Sequence, residues 1–145
     1  SGRPEDQPQL LAIVWATVMV NDSDREALLA RPELVEVPVD HLGAGTSVVA
    51  ELAGGLVGFA TVVRRSDGQA ELDGLFVLPE RQRLGIGLRL IAEATRLARA
   101  MGAGVLHVVA GDGALPFYRS VGFVVTGTAP TDLRPATTME LRLTG

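Results

Sequence analysis

The stretch that decides the fold is VLPERQRLGIGLRL, residues 77–90, which leads from an apolar segment into a predicted helix. Gly85 and Gly87 stand where that helix should begin, although glycine inside a helix costs about 1 kcal/mol relative to alanine. A strand, a tight turn and a helix N-terminus together form a site for an anion, because the first helical turn has unpaired N–H groups and a partial positive charge. Close packing of a helix on a sheet also favours glycine. Alone, the two glycines therefore indicate either an anion site or close packing.

The segments on either side of this turn predict an α+β domain. Apolar residues at spacings of three and four predict a helix from Gly85 to Met101, which Gly102 ends. Three strands precede it, and the short turn segments AGG and SDG between them predict an antiparallel meander. A strand, a short helix and two more strands follow it. The predicted ranges are strands 46–52, 56–65, 69–78 and 104–110, helix 114–122, and strands 123–128 and 137–143.

The secondary structure of the N-terminal part of the chain is less clearly predicted. Residues 9–20 fit a helix with Asp6 as its cap, but the β-forming residues in this segment keep a strand as the alternative. A second helix fits residues 23–35, with Asp22 or Ser23 as its cap.

Composition excludes several classes of function. The length of 145 residues predicts one domain, residues 1–145. The chain has no cysteine and no lysine, which excludes disulfides, thiolate metal sites, Schiff-base lysines and the P-loop. With two histidines, no metal is expected. The net charge of −4 argues against binding to nucleic acid. No apolar run reaches the ~18 residues of a membrane span, so we expect a cytoplasmic protein that binds neither nucleic acid nor a membrane.

Two motifs together resemble the GNAT N-acetyltransferase superfamily. Gln82, Gly85 and Gly87 match its pyrophosphate-binding pattern, Gln or Arg followed by x-x-Gly-x-Gly/Ala. Downstream, ALPFYRSVGF at residues 114–123 is similar to the family pattern Ala-x-x-Phe-Tyr-x-x-x-Gly-Phe. GGLVGFATV at residues 54–62 is typical of the preceding hairpin. The resemblance implies a mixed, mostly antiparallel central sheet that is flanked by helices and splayed between the family's fourth and fifth strands.

The resemblance also implies acetyl-CoA as the acyl donor, held largely by backbone groups in the gap between those two strands. A backbone N–H near Phe76 or Val77 would stabilise the oxyanion of the reaction. The implied cofactor-binding residues are Leu75, Phe76 and Val77 beside the pantetheine arm, Gln82, Arg83, Leu84, Gly85, Ile86, Gly87 and Leu88 around the pyrophosphate, and Phe117 in the second motif.

The implied reaction is direct attack of a primary amine, on a small molecule or a peptide, in a ternary complex. Tyr118 matches the tyrosine that often protonates the departing thiolate in this family. Glu71, eleven positions before Gln82, matches the catalytic glutamate of some members. Asp73 shares its face if the strand alternates regularly, but a bulge, common in this strand of the family, would change that. Which of the two carboxylates is the base stays open.

Other interpretations remain at this point. His107 lies in the apolar run of residues 104–110, which predicts burial on both faces, and we interpret it as a hydrogen-bonded core residue. A non-catalytic acyl-CoA-binding domain would use the same scaffold. A nucleotide-binding α/β module is disfavoured by the meander and by the missing third glycine near Leu90. The family's usual first strand has no clear counterpart, unless residues 10–20 take its place. A homodimer is common in such proteins.

Overall fold

A six-stranded β-sheet with helices on both faces accounts for the described residues, which are 3–20, 25–34, 46–130 and 135–143 in this computed structural model. The α-helices are α1 (Gln7–Val20), α2 (Arg25–Ala30), α3 (Ile86–Ala100) and α4 (Leu115–Ser120). The strands are β1 (Ser47–Leu52), β2 (Gly55–Arg64), β3 (Ala70–Val77), β4 (Val105–Ala110), β5 (Val124–Ala129) and β6 (Ala136–Arg142). Short 3-10 turns span Pro4–Asp6, Pro32–Leu34, Pro79–Leu84 and Asp112–Ala114.

The strand order is β1-β2-β3-β4-β6-β5, and it confirms the predicted α+β class. Every neighbouring pair is antiparallel except β3 and β4, which run parallel because α3 crosses between them. The meander of β1, β2 and β3 is present as predicted.

The N-terminal predictions are confirmed only in part. The segment up to Val20 is helical, so the strand alternative for residues 10–20 is wrong. Asp6 is not the predicted cap of α1: it ends the 3-10 turn before the helix, and its Oδ2 accepts the Arg3 N–H at 3.0 Å. The second helix is shorter than predicted because Pro32 begins a separate 3-10 turn. Its predicted caps, Asp22 and Ser23, lie outside the described residues.

The sheet separates two apolar clusters. The larger lies under α3 and α4 and contains Leu90, Leu106 and Tyr118. The smaller lies under α1, which packs mainly on β2 and β3, and it includes the stacked rings of Phe59 and Phe76, whose centroids are 5.4 Å apart. Each face of the central strands is therefore closed by a different helix.

Strand β4 is buried on one face only, so the prediction of burial on both faces is wrong. Leu106, Val108 and Ala110 belong to the cluster under α3. On the other face, Val109 is 43% exposed. The reason is that α1, the helix described over this face of the sheet, lies mainly over β2 and β3.

Gly58 of β2 sets the distance between α3 and the sheet. A Cβ at this position would lie 3.0 Å from the carbonyl oxygen of Phe76 and 3.3 Å from the Leu90 side chain. Gly58→Ala is therefore expected to lower the free energy of unfolding by about 1–3 kcal/mol, as overpacking does. Urea denaturation measures this. Gly55→Ala on the same strand is the matched control, since its Cβ would meet nothing nearer than 4.0 Å. Equal effects of the two substitutions would contradict the packing argument.

Candidate active site

The junction before α3 explains the first of the two glycines. Gly85 follows the 3-10 turn Pro79–Leu84 and has a φ of +78°, a left-handed conformation that glycine adopts without strain. It lies outside the helix, so the helix-propensity cost does not apply to it. The first helical hydrogen bond joins the Arg89 N–H to the Gly85 carbonyl oxygen at 3.2 Å. The N–H groups of residues 86–88 precede this bond and point out of the helix end, where they can bind an anion.

The second glycine is explained by close packing. A Cβ on Gly87 would lie 3.2 Å from two ring carbons of Phe117, at the start of α4. The Phe117 ring therefore rests on the first turn of α3 and joins the two sequence motifs. Gly85 and Gly87 thus fulfil different requirements, one conformational and one steric. Close packing is present at Gly87, and the anion site stays a prediction. The side chains of Gln82, Arg83 and Leu84 lie outside the described part of the molecule.

The ladder between β3 and β4 is short. It pairs Ala70–Leu72 with Leu106–Val108 and stops there, although β3 continues to Val77 and β4 to Ala110. The predicted pantetheine-binding residues 75–77 lie beyond this last pair, and on their other side they pair with residues 58–60 of β2. The C-terminal ends of β3 and β4 and the N-terminus of α3 therefore lie at one edge of the sheet, where the two strands no longer pair.

A bulge in β3 decides how its carboxylates are arranged. Thr61 of β2 pairs with Gly74 and the next residue, Val62, pairs with Leu72, so Asp73 is the extra residue. Asp73 is exposed, whereas Leu72 is buried under α3. The alternation of side chains resumes one residue out of step after Asp73. The regular alternation on which the pairing of Glu71 with Asp73 depended is therefore absent.

Tyr118 lies in the core next to the junction. Its side chain is 6% exposed, and its ring meets those of Phe117 and Phe123 edge-on, with centroid distances of 5.4 and 5.3 Å. Burial raises the pKa of Tyr118 to about 12, because the apolar surroundings disfavour the phenolate. The hydroxyl therefore keeps its proton at physiological pH and can donate a hydrogen bond.

Glu71 lies on the opposite face of the sheet from Tyr118. Its carboxylate is 3.9 Å from the Arg65 guanidinium, and its side chain is 32% exposed. In the sheet Glu71 pairs with Val63 of β2 and with His107 of β4, on the last stretch of ladder before it stops. Glu71 and Tyr118 thus lie on different faces of the sheet.

A comparison with models of protein families matches residues 11–123 to the Acetyltransferase (GNAT) family. The chain belongs to the GNAT acetyltransferase family. This family resemblance was predicted from the two glycines and the Phe117 segment, and it is confirmed. A comparison with curated proteins found no significant match.

Solved structures share the fold of this GNAT domain. A GCN5-related N-acetyltransferase from Rhodopseudomonas palustris is 27% identical, with a TM-score of 0.74 over 97% of this chain and 91% of that one. An aminoglycoside 6′-N-acetyltransferase complexed with coenzyme A has a TM-score of 0.74 at 16% identity, over 100% and 97% of the two chains, a likeness of fold alone. A nourseothricin acetyltransferase is 27% identical with a TM-score of 0.63, over 68% of this chain and 65% of its own length. The present chain thus spans about two thirds of that enzyme.

His107 of this GNAT domain is partly exposed, which the sequence interpretation missed. Its side chain is 22% exposed on the face opposite α3, and its Nδ1 lies 4.0 Å from Glu140 Oε2. It is therefore not the core residue that the apolar run of β4 predicted. The signal in the sequence is its parity: His107 alternates with Leu106 and Val108, both buried on the other face.

The described residues were also compared with the requirements of a metal site and of a membrane-spanning helix. Within them, no three His, Asp or Glu side chains are grouped closely enough to hold a metal ion. Among the same residues, none of the helices combines the length and apolar character needed to cross a bilayer.

Proposed function

We propose that residues 1–145 act as one domain that transfers the acetyl group of acetyl-CoA to a primary amine. The observation that carries this proposal is the Gly85 junction, packed against Phe117 beside the strand where the β3–β4 ladder stops. Membership of the GNAT acetyltransferase family supports it. A Cβ on Gly85 would meet nothing within 4 Å, so no described atom crowds this side of the junction.

Backbone groups would hold the acyl donor. The N–H groups of Ile86, Gly87 and Leu88 would bind the pyrophosphate at the N-terminus of α3, where the helix dipole adds positive charge. Residues 82–84 and Gly85 would complete this seat. Residues 75–77 would pair with the pantetheine arm beyond the end of the ladder, and Phe117 would keep the junction in place.

The reaction would take place where β3 and β4 stop pairing, with Glu71 on one face of the sheet and Tyr118 on the other. Glu71 would remove a proton from the acceptor ammonium, with Asp73 as the alternative base, and the neutral nitrogen would attack the thioester carbon directly. A backbone N–H at Phe76 or Val77 would stabilise the oxyanion. The intermediate would then release coenzyme A as its thiolate, to which Tyr118 would donate a hydrogen bond. The nitrogen loses two protons in total, of which one ends on sulfur and one in solvent.

The acceptor would be the primary amine of a small molecule or a peptide. The acidic chain, with a net charge of −4, favours a cationic amine over nucleic acid. A cytoplasmic location, no metal requirement and a homodimeric state are further parts of this proposal.

A binding and turnover experiment tests the proposal. The protein is expected to bind acetyl-CoA in calorimetry and to release free thiol when a panel of primary amines is added. Gly85→Ala is expected to raise the KM for acetyl-CoA about tenfold, because an alanine at positive φ is strained and the junction would turn an N–H away from the phosphate. Gly102→Ala is the matched control, since Gly102 lies beyond the other end of α3, has a similar φ of +84° and would also place its Cβ in open space.

Two outcomes would contradict the proposal in different ways. Failure to bind acetyl-CoA would remove the cofactor assignment. Binding without thiol release for any amine would indicate a non-catalytic acyl-CoA-binding domain instead.

A further inference from the structure

The sheet consists of two antiparallel halves that meet along one parallel ladder. The first half is β1-β2-β3 and the second half is β4-β6-β5. Every residue of β4 has a partner in β6, and every residue of β3 except Asp73 has a partner in β2. Between the two halves, the described backbone pairs only over Ala70–Leu72 and Leu106–Val108. We call this short β3–β4 ladder the seam.

Of the described helices, the two longest pack mainly on the first half. α1 lies mainly over β2 and β3, and α3 lies mainly over β1, β2 and β3. The apolar cluster under α3 continues across the seam through Leu106, Val108 and Met139, so this core also joins the halves. The arrangement of the two halves therefore depends on the shared core and on the few hydrogen bonds of the seam.

Gln69 adds two hydrogen bonds at the start of the seam. Its side-chain Oε1 accepts the Gly104 N–H at 2.8 Å and the Val105 N–H at 2.9 Å. Both partners are donors, so the atom that faces them is the carbonyl oxygen of the amide, which uses both of its lone pairs. Gln69 directly precedes Ala70, and Val105 directly precedes Leu106, the first pair of the seam. We call these two hydrogen bonds the Gln69 clamp.

The β2–β3 turn holds the backbone of Gln69. The Gln69 N–H donates to Asp67 Oδ1 at 2.9 Å, and the Gln69 carbonyl oxygen accepts the Arg65 N–H at 2.8 Å. On the other side of the clamp, the Gly104 carbonyl oxygen accepts the Leu143 N–H at 2.9 Å. The clamp therefore connects the turn of the first half to the start of β4 and to the residue that follows β6 in the second half.

The seam opens at its opposite end. β3 and β4 run parallel, and their pairing stops after Leu72 and Val108, next to the bulge at Asp73. In the proposed function, the pantetheine arm would lie beyond this point, between residues 75–77 and the end of β4. Two strands that are joined at one end separate at the other end by a distance that depends on how the joined end is held. The Gln69 clamp holds that end.

We propose that Gln69 is a positioning residue for the acyl donor, because its clamp keeps the two halves of the sheet at the separation that acetyl-CoA requires. The inference rests on the proposed function. Gln69 lies at the end of the seam away from residues 75–77, so it acts on the gap through β3 and β4 and not by contact with the donor. Without the clamp, the Gly104 and Val105 N–H groups lose their acceptor, and the protein also populates arrangements of the halves that bind acetyl-CoA less tightly.

Calorimetric titration with acetyl-CoA tests the proposal. Gln69→Leu removes the acceptor oxygen and is expected to raise the Kd for acetyl-CoA about threefold to tenfold, the effect of roughly one hydrogen bond on an equilibrium. Gln69→Glu keeps an acceptor oxygen and is expected to hold the Kd within about twofold of wild type. In steady-state kinetics of Gln69→Leu, the KM for acetyl-CoA should rise with the Kd while kcat stays within about twofold, since the groups at the reacting atoms are unchanged.

Thr126→Val is the matched control for these variants. It removes a hydrogen bond from the sheet, the 2.9 Å contact between the hydroxyls of Thr126 and Thr138, but this contact joins β5 to β6 and lies away from the seam. The Kd of this variant for acetyl-CoA should equal that of the wild-type protein. An increase as large as in Gln69→Leu would mean that the effect is not specific to the clamp.

Amide hydrogen exchange of the wild-type protein provides a second test that needs no variant. Coupling between two sites is reciprocal, so acetyl-CoA must strengthen the clamp if the clamp strengthens the binding of acetyl-CoA. Saturating acetyl-CoA is therefore expected to slow exchange of the Gly104 and Val105 N–H groups more than exchange of the Val62 N–H. Val62 donates to the Thr46 carbonyl oxygen at 2.7 Å within the first half and serves as the reference.

The outcomes separate this inference from the proposed function. An unchanged Kd in Gln69→Leu, or equal slowing of exchange at Gly104, Val105 and Val62, would overturn the role of the clamp and leave the proposed function intact. Absence of acetyl-CoA binding by the wild-type protein would overturn the proposed cofactor site and this inference with it. If Gln69→Leu does not fold, the exchange measurement decides alone.

Discussion

Glu71→Gln is expected to lower kcat/KM for acetyl transfer by about 10²–10⁴-fold, the usual contribution of a positioned base. Glutamine keeps the size of the side chain but cannot accept a proton. The substitution also removes the contact with Arg65 at 3.9 Å, but partly exposed ion pairs contribute at most about 1 kcal/mol, so the variant should fold. Steady-state kinetics at saturating acetyl-CoA, together with thermal unfolding of the same samples, measure both expectations.

Asp73→Asn provides the comparison for Glu71→Gln. Asp73 is the exposed extra residue of the bulge, and β2 has no residue directly opposite it. We expect this variant to keep kcat/KM within about threefold of wild type, a change typical of a surface charge. A larger loss in Asp73→Asn than in Glu71→Gln would transfer the role of the base to Asp73.

Tyr118→Phe is expected to lower kcat by about 10- to 100-fold and to leave the KM for acetyl-CoA nearly unchanged. The loss corresponds to one hydrogen bond to a charged group, about 1.5–3 kcal/mol, made only as the thiolate forms. Because burial raises the pKa of Tyr118 to about 12, complete transfer of its proton to a thiolate is unfavourable. The buried hydroxyl is therefore better suited to hydrogen bonding than to full protonation of the sulfur. Unchanged turnover in Tyr118→Phe would exclude both roles.

The same tyrosine predicts a dependence of stability on alkaline pH. The folded-state pKa of about 12 exceeds the ordinary value of 10.0, so folding favours the protonated phenol. This contribution is complete below pH 10 and is lost as the pH rises from 10 to 12, about 3 kcal/mol in all. The chain has no lysine or cysteine and one tyrosine, so no other side chain is expected to titrate in this range. Chemical denaturation at pH 9 and pH 11.5 measures the loss, and Tyr118→Phe should not show it.

Local patterns in the sequence predicted the glycine junction well. Gly85 needs a left-handed φ and Gly87 needs space for Phe117, and both requirements are carried by residues within or close to the two motifs. The antiparallel meander followed from turns so short that they permit no other connection. Such features depend on few residues, so they can be read without knowledge of the whole fold.

Other features depend on which element covers which strand. The exposure of His107 follows from the position of α1 over β2 and β3. Alternation with Leu106 and Val108 places His107 on the other face of β4, but the apolar composition of β4 gives no sign that this face is open. The bulge at Asp73 is a matter of register between β2 and β3, which the sequence of β3 alone does not fix. Asp6 shows the same limit on a smaller scale, because its actual partner is the Arg3 N–H and not the helix that it was expected to cap.

The bulge has a consequence for how this strand tolerates insertions and deletions. Ala70 and Leu72 before the bulge and Leu75 and Val77 after it all face α3, which regular alternation would not allow. Deletion of Asp73 would reverse the side-chain directions in one half of β3. Either Glu71 would then point toward α3, or Leu75 and Val77 would point away from α3. In an alignment with a relative that lacks the extra residue, a one-residue gap therefore belongs opposite Asp73. Without that gap, the residue aligned with Glu71 would come from the opposite face of the sheet.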